Sequence, residues 1–258
     1  MSIEGYARAL MLPYIGRNHG LHVEEARNTA MPHEKFLFGL LREEVESRKQ
    51  NRLKKRIVEA RFPYRKYMVD FEKGHLGKKL AAMVDSLQTL EFIKNKENVI
   101  LIGNPGVGKS HLAIALGIEA CLKDMRVLFA SIPNLVTRLR ETMGLNQLGA
   151  FKKKFEKYDL VILDELGYVS FDKEGCEMLF NLLSGRNDTG SIIITTNLVF
   201  ERWDEIFKDP VLTGALVDRL AHKAHVADMS GESYRIQETK RWLEKKGGAR
   251  NPKGIVSQ

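Results

Sequence analysis

Residues 103–110, Gly-Asn-Pro-Gly-Val-Gly-Lys-Ser, place a lysine and a hydroxyl behind three glycines at the spacing G-x-x-x-x-G-K-S. Glycines let the backbone curl until successive N–H groups face one anion, and a helix starting at the lysine adds its positive end to the same site. The chemistry that follows is phosphate binding. Gly103, Asn104, Pro105, Gly106, Val107 and Gly108 would form the cradle, Lys109 would reach the β- and γ-phosphates of ATP, and the Ser110 hydroxyl would sit on the Mg²⁺ that bridges them.

A second constellation is the apolar run Leu160-Val161-Ile162-Leu163 closed by Asp164-Glu165. A buried strand that ends in two carboxylates puts them at the sheet edge where ligands of parallel α/β folds bind. Asp164 would orient the magnesium shell, and Glu165 would act as general base on the attacking water. The run 191–195 ends in Thr196-Asn197, whose amide could hold that water against the γ-phosphate. The alternative for Asn197 is a turn residue capping the next helix.

These groups need a scaffold of strands and helices, and the chain supplies the pattern. Apolar runs at 98–102, 126–130, 159–163, 191–195 and 224–229 alternate with helical stretches, which predicts a five-stranded parallel sheet between helices. Residues 1 to about 62 show only helical spacing, as at Leu37, Leu41 and Val45. Phe62-Pro63-Tyr64 ends that pattern, because proline disfavours helix at the residue before it. The expected organisation is a small all-helical domain at 1–65, an α/β domain at 66–247, and a disordered tail at 248–258, where Gly, Lys and Asn dominate.

Composition narrows the setting. No stretch approaches the roughly 18 uninterrupted apolar residues of a membrane helix. The N-terminus is broken by Pro13 and Gly16 and lacks a secretory pattern, which argues against export. The two cysteines, Cys121 and Cys176, are far apart and read as core residues of a cytoplasmic protein. A net charge of +8 favours a polyanionic partner, nucleic acid first. Two basic runs could localise it: Arg48, Lys49, Arg52, Lys54, Lys55 and Arg56 on the last N-terminal helix, and Arg138, Arg140, Lys152, Lys153, Lys154 and Lys157 within 133–158. The competing reading of each run is a solvated helix face.

The motif order resembles that of AAA+ ATPases of the DnaC-type helicase-loader clade. The order is residues 103–110, the strand ending Asp164-Glu165, Thr195-Thr196-Asn197, Asp218-Arg219 and Ser233-Tyr234-Arg235. Gly-Lys-Ser-His-Leu-Ala at 108–113, Leu-Asp-Glu-Leu-Gly-Tyr at 163–168 and the N-terminal segment through Phe62-Pro63 look most like IstB, the ATPase encoded beside the IstA transposase. The resemblance implies that Asn197 is sensor 1, that Arg219 is an arginine finger on ATP held by an adjacent subunit, and that Arg235 is sensor 2. His111 joins the nucleotide-binding set within its motif. Only 23 residues follow Arg235, too few for a full helical lid. The resemblance further implies an ATPase that forms a homo-oligomer on target DNA and hands that DNA to an IstA-like transposase, with helical structure at 133–158 tracking the DNA. The alternatives are a loader of the replicative helicase and, more distantly, a small-molecule P-loop kinase, against which Asp164-Glu165 and Asn197 argue.

Overall fold

The computed structural model describes residues 2–243 apart from 75, 169, 187, 232, 237, 238, 240 and 241, so the expected tail at 248–258 lies outside the described residues. The chain divides into two compact units between Arg56 and Ile57.

The first unit is helical throughout, with α1 (Ile3–Ala9), α2 (Pro13–Asn28) and most of α3 (His33–Glu59). Proline suits the first position of α2, where its missing N–H would have no helical partner. The next two N–H groups, from Tyr14 and Ile15, donate to one oxygen of Glu44 at 2.8 and 3.0 Å. Glu44 is buried, and Arg48 Nε donates to its other oxygen at 3.0 Å. A carboxylate at the positive end of α2 thus replaces the missing helical acceptors. Ala7, Ile15 and Leu40 form the small core with Leu12 and Phe36. Leu37, Leu41 and Val45, whose spacing predicts the helix, lie on its exposed side.

In the second unit, α4 (Lys78–Gln88) and α5 (Glu91–Lys94) lead into β1 (Asn98–Ile102), α6 (Lys109–Leu122) and β2 (Val127–Ser131). Then come α7 (Ile132–Gly144), α8 (Leu148–Phe155), β3 (Leu160–Leu166), α9 (Lys173–Ser184) and β4 (Ser191–Thr196). The last elements are α10 (Asp204–Phe207), α11 (Pro210–Ala221) and β5 (Ala224–Asp228). The five strands form one parallel sheet in the order β2-β3-β4-β1-β5.

Both faces of the sheet are covered, which is why its strands read as continuous apolar runs instead of alternating ones. Val99, Leu101, Phe129 and Ile162 pack against α4, α5 and α6. Ile100, Leu128, Val161, Leu163 and Ile194 point the other way, into a core with α7, α9 and α11. Cys121 and Cys176 are buried free thiols in these two cores. Asp172 and Asp209 cap α9 and α11 by accepting backbone N–H groups of their first turns.

Strand order matters most for the site. β4 lies between β1 and β3, so the ends of the phosphate-loop strand and of the carboxylate strand flank the end of β4. β3 also extends beyond the expected 159–163, because pairing with β4 shifts register after Leu163 and resumes at Leu166 opposite Thr196.

Beyond α3, the Ala60 carbonyl accepts the Phe129 N–H at 2.8 Å on the outer edge of β2. Phe62 packs against Phe129, with ring centroids 6.2 Å apart. α6 approaches closely enough that a Cβ on Gly117 would stand 2.7 Å from Ile162 Cδ1 and 2.9 Å from the Phe62 ring. Overfilling a packed core typically costs about 1–3 kcal/mol. Gly117→Val should therefore lower stability by about 2 kcal/mol in denaturant unfolding; an unchanged midpoint would show that this contact is not tight.

Candidate nucleotide-binding site

The loop from β1 to α6 contains three glycines with positive φ, and two of them also meet a close neighbour. At Gly103, with φ of 154°, a Cβ would come within 2.9 Å of the Met229 carbonyl. At Gly106, with φ of 85°, it would meet the Ser233 hydroxyl at 2.2 Å. Neither the backbone angle nor the space admits a side chain. The segment after β5 is fastened to this loop, as the Tyr234 N–H donates to the Gly106 carbonyl at 3.0 Å.

Lys109 and Ser110 open α6. The Lys109 ammonium donates to the carbonyls of Gly103 at 2.6 Å and Asn104 at 2.8 Å, so that one of its three N–H donors has no acceptor among the described residues. Burial pushes its pKa below the ordinary lysine range, and the negative charge of Asp164 opposes that shift. An anionic phosphate would act in the same sense as Asp164.

The Ser110 hydroxyl donates to Asp164 Oδ1 at 2.8 Å. The same carboxylate oxygen accepts the Thr195 hydroxyl from β4. Asp164 is buried, and these two hydroxyls fix its orientation. Glu165 departs from β geometry: its φ of 69° lies in the left-handed region, at the register shift of β3. Non-glycine residues rarely adopt this conformation, and such strain concentrates at functional sites. The Glu165 N–H donates to Thr195 Oγ1 at 3.1 Å, and its side chain is exposed where that of Asp164 is buried. Two neighbouring carboxylates thus stand in different environments.

Asn197 does not cap the next helical turn, whose cap is Val199. Its Oδ1 is buried without a hydrogen-bond partner, and a Cβ on Gly167 would stand 2.6 Å from that atom. Asn197 lines neither of the two cavities beside the loop.

Two cavities flank the loop. One, of about 570 Å³, holds Ser110, Asp164 and Glu165 together with Tyr64, Arg138 and Arg235. The other, of about 560 Å³, is lined by Val107, Met229, Tyr234, Leu80 and Met83 and is the more apolar in its side chains. The first gathers a hydroxyl, two carboxylates and two guanidinium groups, and the second is walled chiefly by apolar side chains.

The remaining residues singled out in the sequence are dispersed. Arg235 reaches the carboxylate cavity, whereas Arg219 lies on α11 with its guanidinium 4.8 Å from the Phe180 ring centre and lines neither cavity. His111 also lines neither; it stands edge-on to Phe71, within 3.4 Å of the Tyr67 carbonyl, and burial lowers its pKa. Residues 133–158 hold α8 and all but the first residue of α7. Arg138 there stacks over Phe151, Arg140 pairs with Asp172, Lys153, Lys154 and Lys157 are exposed, and Lys152 is half-buried. On α3, Arg48 is bound by Glu44 and the Met11 carbonyl, Lys49, Arg52, Lys54 and Lys55 are exposed, and Arg56 is half-buried. Thr195 and Tyr64 escape sequence reasoning, since their proximity to Asp164 depends on strand order and on the path of residues 60–64.

Comparison with known proteins agrees with this geometry. The IstB-like ATP binding protein family matches residues 6–241. The ATP-binding protein of insertion sequence IS5376 from Geobacillus stearothermophilus is 34% identical over 247 residues, 95% of this chain and 97% of its own length. That of IS21 from Pseudomonas aeruginosa is 36% identical over 219 residues, 85% of this chain and 83% of its own. Among solved structures, the DnaC helicase loader superposes with a TM-score of 0.51 at 17% identity, covering 64% of this chain and 92% of that one. AMPPCP-bound DnaA from Aquifex aeolicus gives 0.54 at 18% identity, covering 70% and 55%. These likenesses show that the chain shares the fold of those domains. With residues 6–241 matched and the phosphate loop and paired carboxylates assembled at one sheet edge, the chain belongs to the family of IstB-like ATP-binding proteins.

Proposed function

We propose that the protein is an ATP-dependent, DNA-binding regulator of transposition, an ATPase that assembles with ATP on target DNA, delivers that DNA to a partner transposase, and uses hydrolysis to time release. The observation that carries the ATPase reading is the 2.8 Å contact between Ser110 and Asp164 beside an outward-facing Glu165 in one cavity. The transposition reading rests on the relatives, which are ATP-binding proteins of insertion sequences matched over most of their length. A helicase loader shares the fold, at 17% identity.

Lys109 would hold the β- and γ-phosphates, and Arg235 would face them across the cavity. The Ser110 hydroxyl and the Asp164 carboxylate are the hard oxygen donors that Mg²⁺ prefers, so the pair fits that ion. When bound, Mg²⁺ would supply charge neutralisation between the β- and γ-phosphate oxygens. Glu165 would take a proton from the water attacking the γ-phosphorus, the bond to the β–γ bridging oxygen would break, and ADP and phosphate would leave. Asn197, directly after β4, would orient that water, a role supported by its place in the motif order.

Arg219 lies away from its own chain's cavities, which supports a role on ATP held by a neighbouring subunit. Oligomerisation would then complete each site, and protein concentration and DNA would both accelerate turnover. The exposed lysines of α3 and α8 would contact phosphates without reading bases, giving salt-dependent binding of weak sequence preference.

Two sets of substitutions test these roles. Lys109→Ala should weaken nucleotide binding by about 10- to 100-fold, the worth of charge-assisted hydrogen bonds. Glu165→Gln should bind ATP normally and lose about 100-fold or more in turnover; hydrolysis at the parent rate would remove Glu165 as the base. Arg219→Ala should retain the affinity of the isolated chain for ATP and lose the stimulation by DNA and by protein concentration, which an arginine finger makes worth roughly 10³-fold or more. Full stimulation in that variant would contradict the shared-site reading.

A further inference from the structure

Residues 60–64 follow α3 and are held along the outer edge of the sheet. The Ala60 carbonyl accepts the Phe129 N–H, and the Phe62 ring lies against Phe129 and Gly117. Pro63 then fixes one backbone angle before Tyr64. The phenol is thereby carried into the cavity that contains Ser110, Asp164, Glu165 and Arg235. It is 45% exposed, open to a ligand, and among the described residues its hydroxyl has no hydrogen-bond partner.

The placement of the two cavities gives that hydroxyl a specific use. The base, ribose and first two phosphates of ATP and ADP are the same, and they would occupy the Val107 side and the glycine loop equally. In that arrangement only the γ-phosphate would extend past Lys109 and Ser110 into the cavity that Tyr64 lines. We propose that Tyr64 is a γ-phosphate-binding residue, whose phenol O–H donates to a γ-phosphate oxygen and thereby makes the site favour ATP over ADP. This inference rests on the reading of residues 103–110 as a triphosphate cradle.

The surroundings keep the phenol in its donor form. Burial raises the Tyr64 pKa, Asp164 and Glu165 raise it further, and only Arg235 opposes them. The proton therefore stays on the oxygen at neutral pH, where a phosphate acceptor can use it. Across the same cavity, Arg235 and Arg138 offer positive charge to the same group, so the tyrosine adds direction to a site already favourable for anions.

Tyr64→Phe removes the hydroxyl and leaves the ring in place. Affinity for a non-hydrolysable ATP analogue and for ADP would be measured side by side in the full chain with Mg²⁺, for the parent, Tyr64→Phe and Lys109→Ala. The expected result for Tyr64→Phe is about a tenfold loss of analogue affinity with ADP affinity unchanged, the size of one hydrogen bond to a charged acceptor. Equal losses for both nucleotides would reduce Tyr64 to a structural role, and no loss for either would remove it from the site; both outcomes overturn the inference. If Lys109→Ala bound both nucleotides as tightly as the parent, the cradle reading itself would fail, a result distinct from failure of Tyr64 alone.

Discussion

One oxygen of Asp164 accepts two hydroxyls, from Ser110 at the start of the helix after β1 and from Thr195 on β4. Because the carboxylate is buried, it needs such donors, and each donor is held in place by needing it. The interaction joins the phosphate loop, the carboxylate strand and the strand between them at a single point. Everything else at the site takes its position from this junction. Glu165 follows directly and hangs from Thr195 by its own N–H, so one threonine orients both acidic residues.

The backbone at Glu165 shows what this costs. A left-handed glutamate at a register shift is strained by about 1–3 kcal/mol, and a regular strand would avoid it. In regular β geometry, neighbouring side chains point to opposite faces, so Glu165 would turn toward the sheet face opposite Asp164. The shift instead leaves Asp164 buried as an acceptor and Glu165 exposed in the same cavity. Strain here is the means by which adjacent carboxylates acquire separate environments.

The phosphate loop was legible because its residues are contiguous and its glycines have no substitute at those backbone angles. The five strands were legible because both faces of the sheet are covered, which makes each strand a run of apolar residues. What could not be read was anything that depends on strand order. Thr195 looks like one more β-branched residue until β4 is known to lie between β1 and β3. Tyr64 marks only the end of a helical pattern until residues 60–64 are found along β2. Arg138 reads as part of a basic run, yet its helix brings it to the nucleotide cavity. Spacing likewise identified α3 from Leu37, Leu41 and Val45 without revealing that these side chains are exposed.

The central claim is that Ser110 and Asp164 form one oxygen site that couples ATP to Mg²⁺. Calorimetric titration of ATP into the parent protein and Asp164→Asn, each with and without Mg²⁺, tests it most directly. Mg²⁺ should tighten ATP binding in the parent, and Asp164→Asn should lose most of this enhancement while keeping its Mg²⁺-free affinity. An undiminished effect of Mg²⁺ in Asp164→Asn would contradict it.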